Sequence, residues 1–299
     1  MALADPPESD PTAALIASAA QEFDEPALWN EDDQRQLTSR QSPRRFFIDG
    51  MVEGWGPVAP RVTDKLKARF PDIVDQRFWD IANAALPHTA LSIQRLYAIF
   101  QAIDYLAYRK ISGDVVECGV FKGGGAIALI KSLAIFGLTD RKVFLLDTFE
   151  GWPEPSAEDT DIFGQNHKKN YHKEIETSSK TSCYRLDNFF ERTKSAIYEN
   201  TREFPESNII FLKGMVENTL PNDQVGHLCL LRLDTDYYES TKWELQQLYP
   251  QLNDNGILLI DDYGQFHGAR KAVDEYFSVR REKLLFSRDD FSGRTAIKI

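Results

Sequence analysis

At 299 residues, with 42% hydrophobic and 27% charged side chains, the chain has the composition of a soluble globular protein with one large core or two modest ones. Its net charge of −11 argues against nucleic-acid partners, which usually require a basic surface. No apolar stretch approaches the ~20 residues that span a bilayer, and the amino terminus lacks the layout of a signal peptide. With three widely spaced cysteines, these features predict a cytoplasmic protein with reduced thiols and no membrane partner.

The negative charge is concentrated at the amino terminus. Residues 1–35 contain nine acidic side chains and one basic side chain, a net charge of −8, which leaves −3 for the rest of the chain. An acidic segment with several prolines predicts a flexible tail. Residues 36–85 then alternate short helical patterns with glycine and proline, and they are rich in aromatic side chains. They predict a helical extension whose aromatic residues belong to the core or, less often, to a cap over a site.

Strand and helix patterns alternate after this extension. They predict one doubly wound α/β domain over residues 86–299, built on a mostly parallel seven-stranded sheet. Thr89 is placed to cap the first of its helices. The predicted helices cover residues 91–110, 124–136, 186–201, 239–249 and 267–279. The predicted strands cover 115–118, 143–147, 208–212, 228–233 and 257–260, followed by a hairpin that pairs 283–287 with 294–298.

A polar insert, residues 151–182, interrupts this alternation. It shows no clear periodicity and is longer than an ordinary connection, which is typical of a lid or of a disordered loop. It contains His167 and His172, which together with His267 could be catalytic. A lone histidine in a loop is more often simply solvated, and we expect that of these three.

Four of the predicted strands run directly into acidic residues. These residues are Glu117, Asp147, Asp234, Asp261 and Asp262, with Asp236 two positions beyond the third of these strands. In open α/β sheets the ligand site lies outside the carboxyl ends of the strands. So many like charges at one edge would repel one another without hydrogen-bond donors or a cation. We therefore expect the functional site at this edge.

The turn after the first strand, residues 117–125, is rich in glycine. Gly119 and Gly123 permit a tight turn and a close approach of a ligand to the backbone. Phe121 stands where the dinucleotide fingerprint needs its second glycine, and no G-K-[ST] follows, so a nicotinamide dehydrogenase and a P-loop are disfavoured. The E-x-G-x-x-x-G pattern instead resembles the first motif of class I S-adenosylmethionine (SAM)-dependent methyltransferases. Asp147, at the end of the second strand, fits the ribose of that cofactor by its position.

Two acidic motifs follow the strands that end near residues 233 and 260. Adjacent strands lie ~4.8 Å apart, so Asp234 and Asp261 can share one cation, and hard oxygen ligands favour Mg²⁺ or a similar divalent ion. The alternative is that some of these aspartates cap the next helix or accept from nearby amides. Asp236 or Asp262 could play such a role individually. We do not expect it of all four aspartates, which are Asp234, Asp236, Asp261 and Asp262.

Several segments taken in order resemble the macrocin O-methyltransferase (TylF-type) family. They are residues 113–124, 211–214, 218–221, 231–241 and 260–264. Members of this family methylate sugar hydroxyls of macrolide and aminocoumarin antibiotics with SAM and Mg²⁺. The resemblance extends over residues 86–277, and it implies a small-molecule acceptor with a hydroxyl group.

The resemblance also implies roles for individual residues. It assigns Asp234, Asp261 and Asp262 to the metal and makes Asp236 the general base that takes the hydroxyl proton. The residues implied at the cofactor are Thr89, Glu117, Gly119, Gly123, Asp147, Lys213, Gly214, Met215 and Asp234. Of these, Thr89 would lie near the methionine end of the cofactor and residues 213–215 near the adenine.

The chain departs from the family pattern at several positions. Thr235 replaces a usual glycine, Tyr237 a usual aliphatic residue, and Phe121-Lys122 a usual Trp-Arg pair. The polar insert and the first 85 residues, which would form the acceptor pocket, match poorly, so the acceptor does not follow from the resemblance. A catechol-type O-methyltransferase and a non-catalytic SAM-binding protein remain alternatives, and the oligomeric state, a homo-oligomer included, stays open.

Overall fold

The computed structural model describes residues 61–176, Leu186 and residues 188–299. The acidic segment 1–35, residues 36–60 of the predicted extension and the last part of the polar insert lie outside the described residues. Within the described parts of the chain, none of the helices has the length and apolar character needed to cross a membrane.

The described residues form one seven-stranded sheet with the order β3-β2-β1-β4-β5-β7-β6. The strands are β1 Asp114–Cys118, β2 Val143–Asp147, β3 Ile209–Lys213, β4 Leu228–Leu233, β5 Leu252–Ile260, β6 Ser287–Arg288 and β7 Arg294–Ile297. The first five strands are parallel to one another, whereas β7 is antiparallel to both β5 and β6. This arrangement confirms the predicted doubly wound, mostly parallel fold.

Helices cover both faces of this sheet. They are α1 Asp64–Lys67, α2 Gln76–Ala85, α3 Ile93–Arg109, α4 Gly124–Ile135, α5 His167–Glu176, α6 Phe189–Asn200, α7 Val216–Thr219, α8 Tyr238–Leu248 and α9 His267–Ser278. Short 3₁₀ turns cover Leu86–His88, Glu206–Asn208 and Tyr249–Gln251. Because helices cover both faces, the central strands are apolar along almost their whole length.

Alternate residues of the strands belong to two different cores. Val115 lies in the core that contains the buried side chains of α2, α3 and α4. Val116, its neighbour, lies in the core that contains those of α8 and α9. This alternation is the period of two expected of a strand between two helical layers. Phe78 and Trp79 of α2 are buried in the first core, as expected of core aromatic residues.

Several boundaries differ from those predicted, and three of the differences have a visible cause or consequence. Helix α3 begins at Ile93 because Ser92 rather than Thr89 is its cap: the Ser92 hydroxyl accepts a hydrogen bond from the amide of Arg95. Strand β5 begins five residues before the predicted start, at Leu252. Strand β6 is confined to Ser287–Arg288, since the preceding Phe286 packs its ring against Tyr263 instead of extending the hairpin.

Candidate active site

The carboxyl ends of the central strands bring two loops into contact. In the sheet Cys118 is paired with Leu233, so the loop after β1 and the loop after β4 begin side by side. Gly119 has a φ of +82°, and a Cβ added there would lie 1.8 Å from the carbonyl oxygen of Asp234. Only glycine fits this approach. The glycine turn and the acidic loop therefore form one continuous surface.

Asp147, predicted to bind a ribose, holds the glycine turn in the structure. Its Oδ2 accepts from the amides of Val120 and Phe121 at 2.8 and 2.9 Å, and its Oδ1 accepts from the amide of Phe149 at 2.6 Å. Burial raises the pKa of Asp147, and these amides act in the opposite direction. The sequence analysis missed this role, because contacts to backbone amides of another loop leave no pattern in the sequence. The ribose role remains a prediction.

Arg232, which the sequence analysis assigned to no role, is the central cation of the site. It lies on β4 with its side chain 2% exposed. Its Nη1 donates to Glu117 Oε1 at 2.6 Å, and its Nη2 donates to Asp234 at 2.7 Å and to Asp261 at 2.8 Å. A charged residue inside an otherwise apolar strand was the available signal, because a fully buried arginine needs several acceptors.

A second arginine reaches the site from α3. Arg95 contacts Asp261 through Nη1, and its Nε lies 3.0 Å from Asp290 in the turn before β7. Asp290 also accepts from the hydroxyl of Ser92. Arg95 lies one helical turn before the buried Ile99, so its position on the buried face of α3 was readable from the sequence.

Three predicted metal ligands converge in the structure. Asp234, Asp261 and Asp262 each offer a carboxylate oxygen, and these oxygens lie within 4.8 Å of one another. Burial raises the pKa of Asp234 and of Asp262 well above the usual value, and the neighbouring carboxylates add to the rise. At Asp261 burial also acts to raise the pKa, but Arg95 and Arg232 outweigh it and the pKa is lowered. The set offers the hard oxygen donors that a divalent cation such as Mg²⁺ prefers.

Asp236 lies beside this cluster in an unusual backbone conformation. Its φ is +66°, and its amide donates to Asp262 Oδ2 at 3.0 Å. Burial, followed by the charges of Asp234 and Asp261, raises its pKa well above the usual value. It does not cap α8: the amide of Tyr238 donates instead to Asp159 of the insert at 2.8 Å. The helix-cap alternative is therefore wrong for Asp236, whereas Asp262 does accept from a nearby amide.

The remaining cofactor candidates surround the glycine turn. Gly123, with a φ of +91°, precedes α4, and a Cβ added to the next residue, Gly124, would lie 2.4 Å from that of Thr89. On the other side, the amide of Gly214 donates to the carbonyl of Asp147. Its neighbours Lys213 and Met215 are 44% and 41% exposed. The structure thus brings the predicted cofactor residues to one edge of the sheet.

The described part of the insert is attached to the site. The carbonyl of Thr160 accepts from the amide of His267, and Asp161 forms an isolated β-bridge with Phe266. His167 is 7% exposed and its Nε2 lies 3.2 Å from Asp161, so the expectation that it is solvated is wrong. Its ring packs on aromatic neighbours that the sequence pattern could not reveal. His172 and His267 are exposed, as expected.

Comparison with known proteins gives the family. Residues 28–286 match the macrocin O-methyltransferase (TylF) family. The chain belongs to this family. It is 30% identical over 213 residues to the demethyldecarbamoylnovobiocin O-methyltransferase of Streptomyces niveus, covering 70% of this chain and 74% of the relative. It is 28% identical over 189 residues to the mycinamicin III 3″-O-methyltransferase of Micromonospora griseorubida, covering 63% and 70%.

A solved structure of the O-methyltransferase NovP superimposes with a TM-score of 0.60 at 28% identity, covering 71% of this chain and 82% of that chain. The calicheamicin methyltransferase CalS11 shares the fold, with a TM-score of 0.55 at 15% identity, covering 79% and 94%. This member of the macrocin O-methyltransferase family is therefore a SAM-dependent O-methyltransferase with the class I fold. The non-catalytic alternative is wrong.

Proposed function

We propose that this enzyme transfers the methyl group of SAM to a hydroxyl of a sugar in a glycosylated natural product, in antibiotic biosynthesis, and that it requires Mg²⁺ or a similar divalent cation. Relatives act on such compounds by name, among them mycinamicin III at its 3″ position and a rhamnosyl-tetracenomycin at its 4′ position. The observation that carries the proposal is the convergence of Asp234, Asp261 and Asp262, with Asp236 beside them.

The cofactor fits the glycine turn. Glu117 is completely buried below it, and its Oε2 has no hydrogen-bond partner among the described residues. A buried acceptor of this kind suits an ammonium group such as the one on the methionine portion of SAM. Asp147 would accept from the ribose hydroxyls with lone pairs that the three amides leave available. Thr89 would lie at the methionine end, and residues 213–215 would border the adenine.

Asp236 would act as the general base. It lies next to the metal ligands but is fixed by its own amide rather than by Arg232. A carboxylate there can accept the proton of an acceptor hydroxyl as the methyl group leaves the sulfonium, provided the two oxygens come within hydrogen-bond reach.

The carboxylates Asp234, Asp261 and Asp262 would hold the cation. When bound, it supplies positive charge that lowers the pKa of an acceptor hydroxyl and fixes the direction of that hydroxyl. Arg95 and Arg232 lower the pKa of Asp261 and orient its carboxyl, and Arg232 also donates a hydrogen bond to Asp234. Placement of the reacting oxygen in line with the methyl carbon and sulfur supplies much of the remaining rate.

The test is methyl transfer to a defined panel of acceptors. The enzyme would be incubated with SAM, Mg²⁺ and demethyldecarbamoylnovobiocin, mycinamicin III or a rhamnosyl-tetracenomycin, and the products analysed by mass spectrometry. We expect a mass gain of one methyl group on a sugar, loss of the product in excess chelator and its recovery with Mg²⁺. A simple catechol in the same assay tests the phenol alternative. Methylation of the catechol alone, or full turnover in chelator, would contradict the proposal.

A further inference from the structure

The loop after β4, which carries Asp234 and Asp236, contains a strained turn. Contacts with neighbouring residues must keep this turn in place. The amide of Tyr237 donates to the carbonyl of Thr235 at 2.7 Å, which closes a three-residue turn around Asp236. The φ of +66° at Asp236 makes this the rare form of the γ-turn. A non-glycine residue in such a conformation is strained and persists only where its surroundings fix it. The hydrogen bond from the Asp236 amide to Asp262 is one such restraint.

A buried glutamate below the loop supplies another restraint. Glu244 lies on α8 and is completely buried. Its Oε2 accepts from the hydroxyl of Thr235 at 3.1 Å, and its carboxyl also lies against the thiol of Cys118 at the end of β1. Glu244 thus contacts the residue between Asp234 and Asp236 as well as the residue before the glycine turn.

We propose that Glu244 is a positioning residue of the methyl-transfer site: through Thr235 it holds the turn that presents Asp236 beside the metal ligands. The catalytic effect of this turn rests on the proposed function, whereas the contacts that hold the turn do not depend on it. Thr235 carries a hydroxyl group at the first position of this turn, and that hydroxyl donates to Glu244. Its hydroxyl would be the means by which this enzyme restrains the positive φ of the next residue, Asp236.

Burial raises the pKa of Glu244 well above its usual value, which favours the neutral acid. The carboxyl accepts from the hydroxyl of Thr235 with Oε2, and the thiol of Cys118 is a weak donor beside it. Glutamine has the same shape, is neutral and presents a carbonyl oxygen to Thr235. Glu244→Gln should therefore preserve the turn, whereas Glu244→Leu should not.

Amide hydrogen exchange at Asp236 and Tyr237 tests the proposal without any acceptor. We expect exchange about threefold to tenfold faster in Glu244→Leu and in Thr235→Val, the range for one lost hydrogen bond, and within twofold of wild type in Glu244→Gln and Thr235→Ser. The double variant should add little to either single variant. Thr201→Val is the control, because it removes a buried hydroxyl that donates to a carbonyl of α6, remote from the loop.

Unchanged exchange at Asp236 in both Glu244→Leu and Thr235→Val would overturn the proposal, as would Glu244→Gln behaving like Glu244→Leu. Thr235→Val alone decides the matter if Glu244→Leu fails to fold. With an acceptor from the panel, kcat should fall about tenfold or more in Glu244→Leu at a KM for SAM within twofold of wild type. A wild-type enzyme that methylates none of the acceptors would contradict the proposed function, whereas the exchange data would still decide what holds the turn.

Discussion

Replacing Asp147 by alanine separates its two roles. The substitution leaves the amides of Val120, Phe121 and Phe149 without their acceptor. A hydrogen bond to a charged group contributes roughly 1.5–3 kcal/mol, and water can replace part of this at a site that is not fully enclosed. We therefore expect the free energy of unfolding to fall by about 3–5 kcal/mol. A side chain that only contacted a ribose would leave the free energy of unfolding nearly unchanged.

Urea denaturation and calorimetric SAM titration measure the two effects separately. SAM binding to Asp147→Ala should weaken at least about tenfold, or ~1.4 kcal/mol, because both the ribose acceptor and the shape of the glycine turn are lost. Asp114→Ala is the matched control: its carboxylate accepts from the single amide of Lys142 at the opposite end of the sheet. We expect it to cost about 1 kcal/mol of stability and no SAM affinity. Unchanged stability of Asp147→Ala would refute the loop-holding role, and unchanged SAM affinity would refute the ribose role.

Two further predictions concern the charges below the site. Asp262→Asn should weaken Mn²⁺ binding, measured by titration, at least tenfold and should lower turnover in parallel. The reason is that one of the three converging carboxylates becomes a neutral amide. A metal affinity equal to that of wild type would exclude Asp262 as a ligand. Burial raises the pKa of Glu117 from 4.5 to about 7, so its contribution to stability is complete below pH 4.5 and is lost as the pH rises through 7. Glu117→Gln should remove that loss from urea denaturation curves between pH 4.5 and 7, and a slope equal to that of wild type would contradict the shift.

The sequence was sufficient to predict the strands and the edge where they end. Parallel strands buried on both faces appear in the sequence as short apolar runs. Because the carboxyl ends of parallel strands meet at one edge of the sheet, the acidic residue after each run is expected at that edge. That is why Asp234, Asp261 and Asp262 could be placed together before their distances were known. The exact ends of the helices and strands could not be predicted from the sequence. Ser92 and Thr89 are both good helix caps, and only the folded structure shows that Ser92 is the one used.

Contacts between distant segments could not be predicted. Asp159 of the insert caps α8, and Arg95 of α3 reaches Asp261, although each pair is far apart in sequence. The burial of His167 depends on the insert folding against the loop after Asp262, which no local periodicity records. These contacts decide which charges at the site are neutralised, so the sequence predicted the converging carboxylates but not their electrostatics.

In the proposed mechanism Asp236 takes the hydroxyl proton while its neighbours hold the metal. A single-turnover rate of methyl transfer by Asp236→Asn, measured beside its Mn²⁺ and SAM affinities, tests it most directly. We predict a rate reduced by roughly 10² or more, with both affinities close to those of wild type, because asparagine keeps the backbone contacts but cannot take the proton. A lowered metal affinity would make Asp236 a fourth ligand, and a rate near that of wild type would contradict its role as the base.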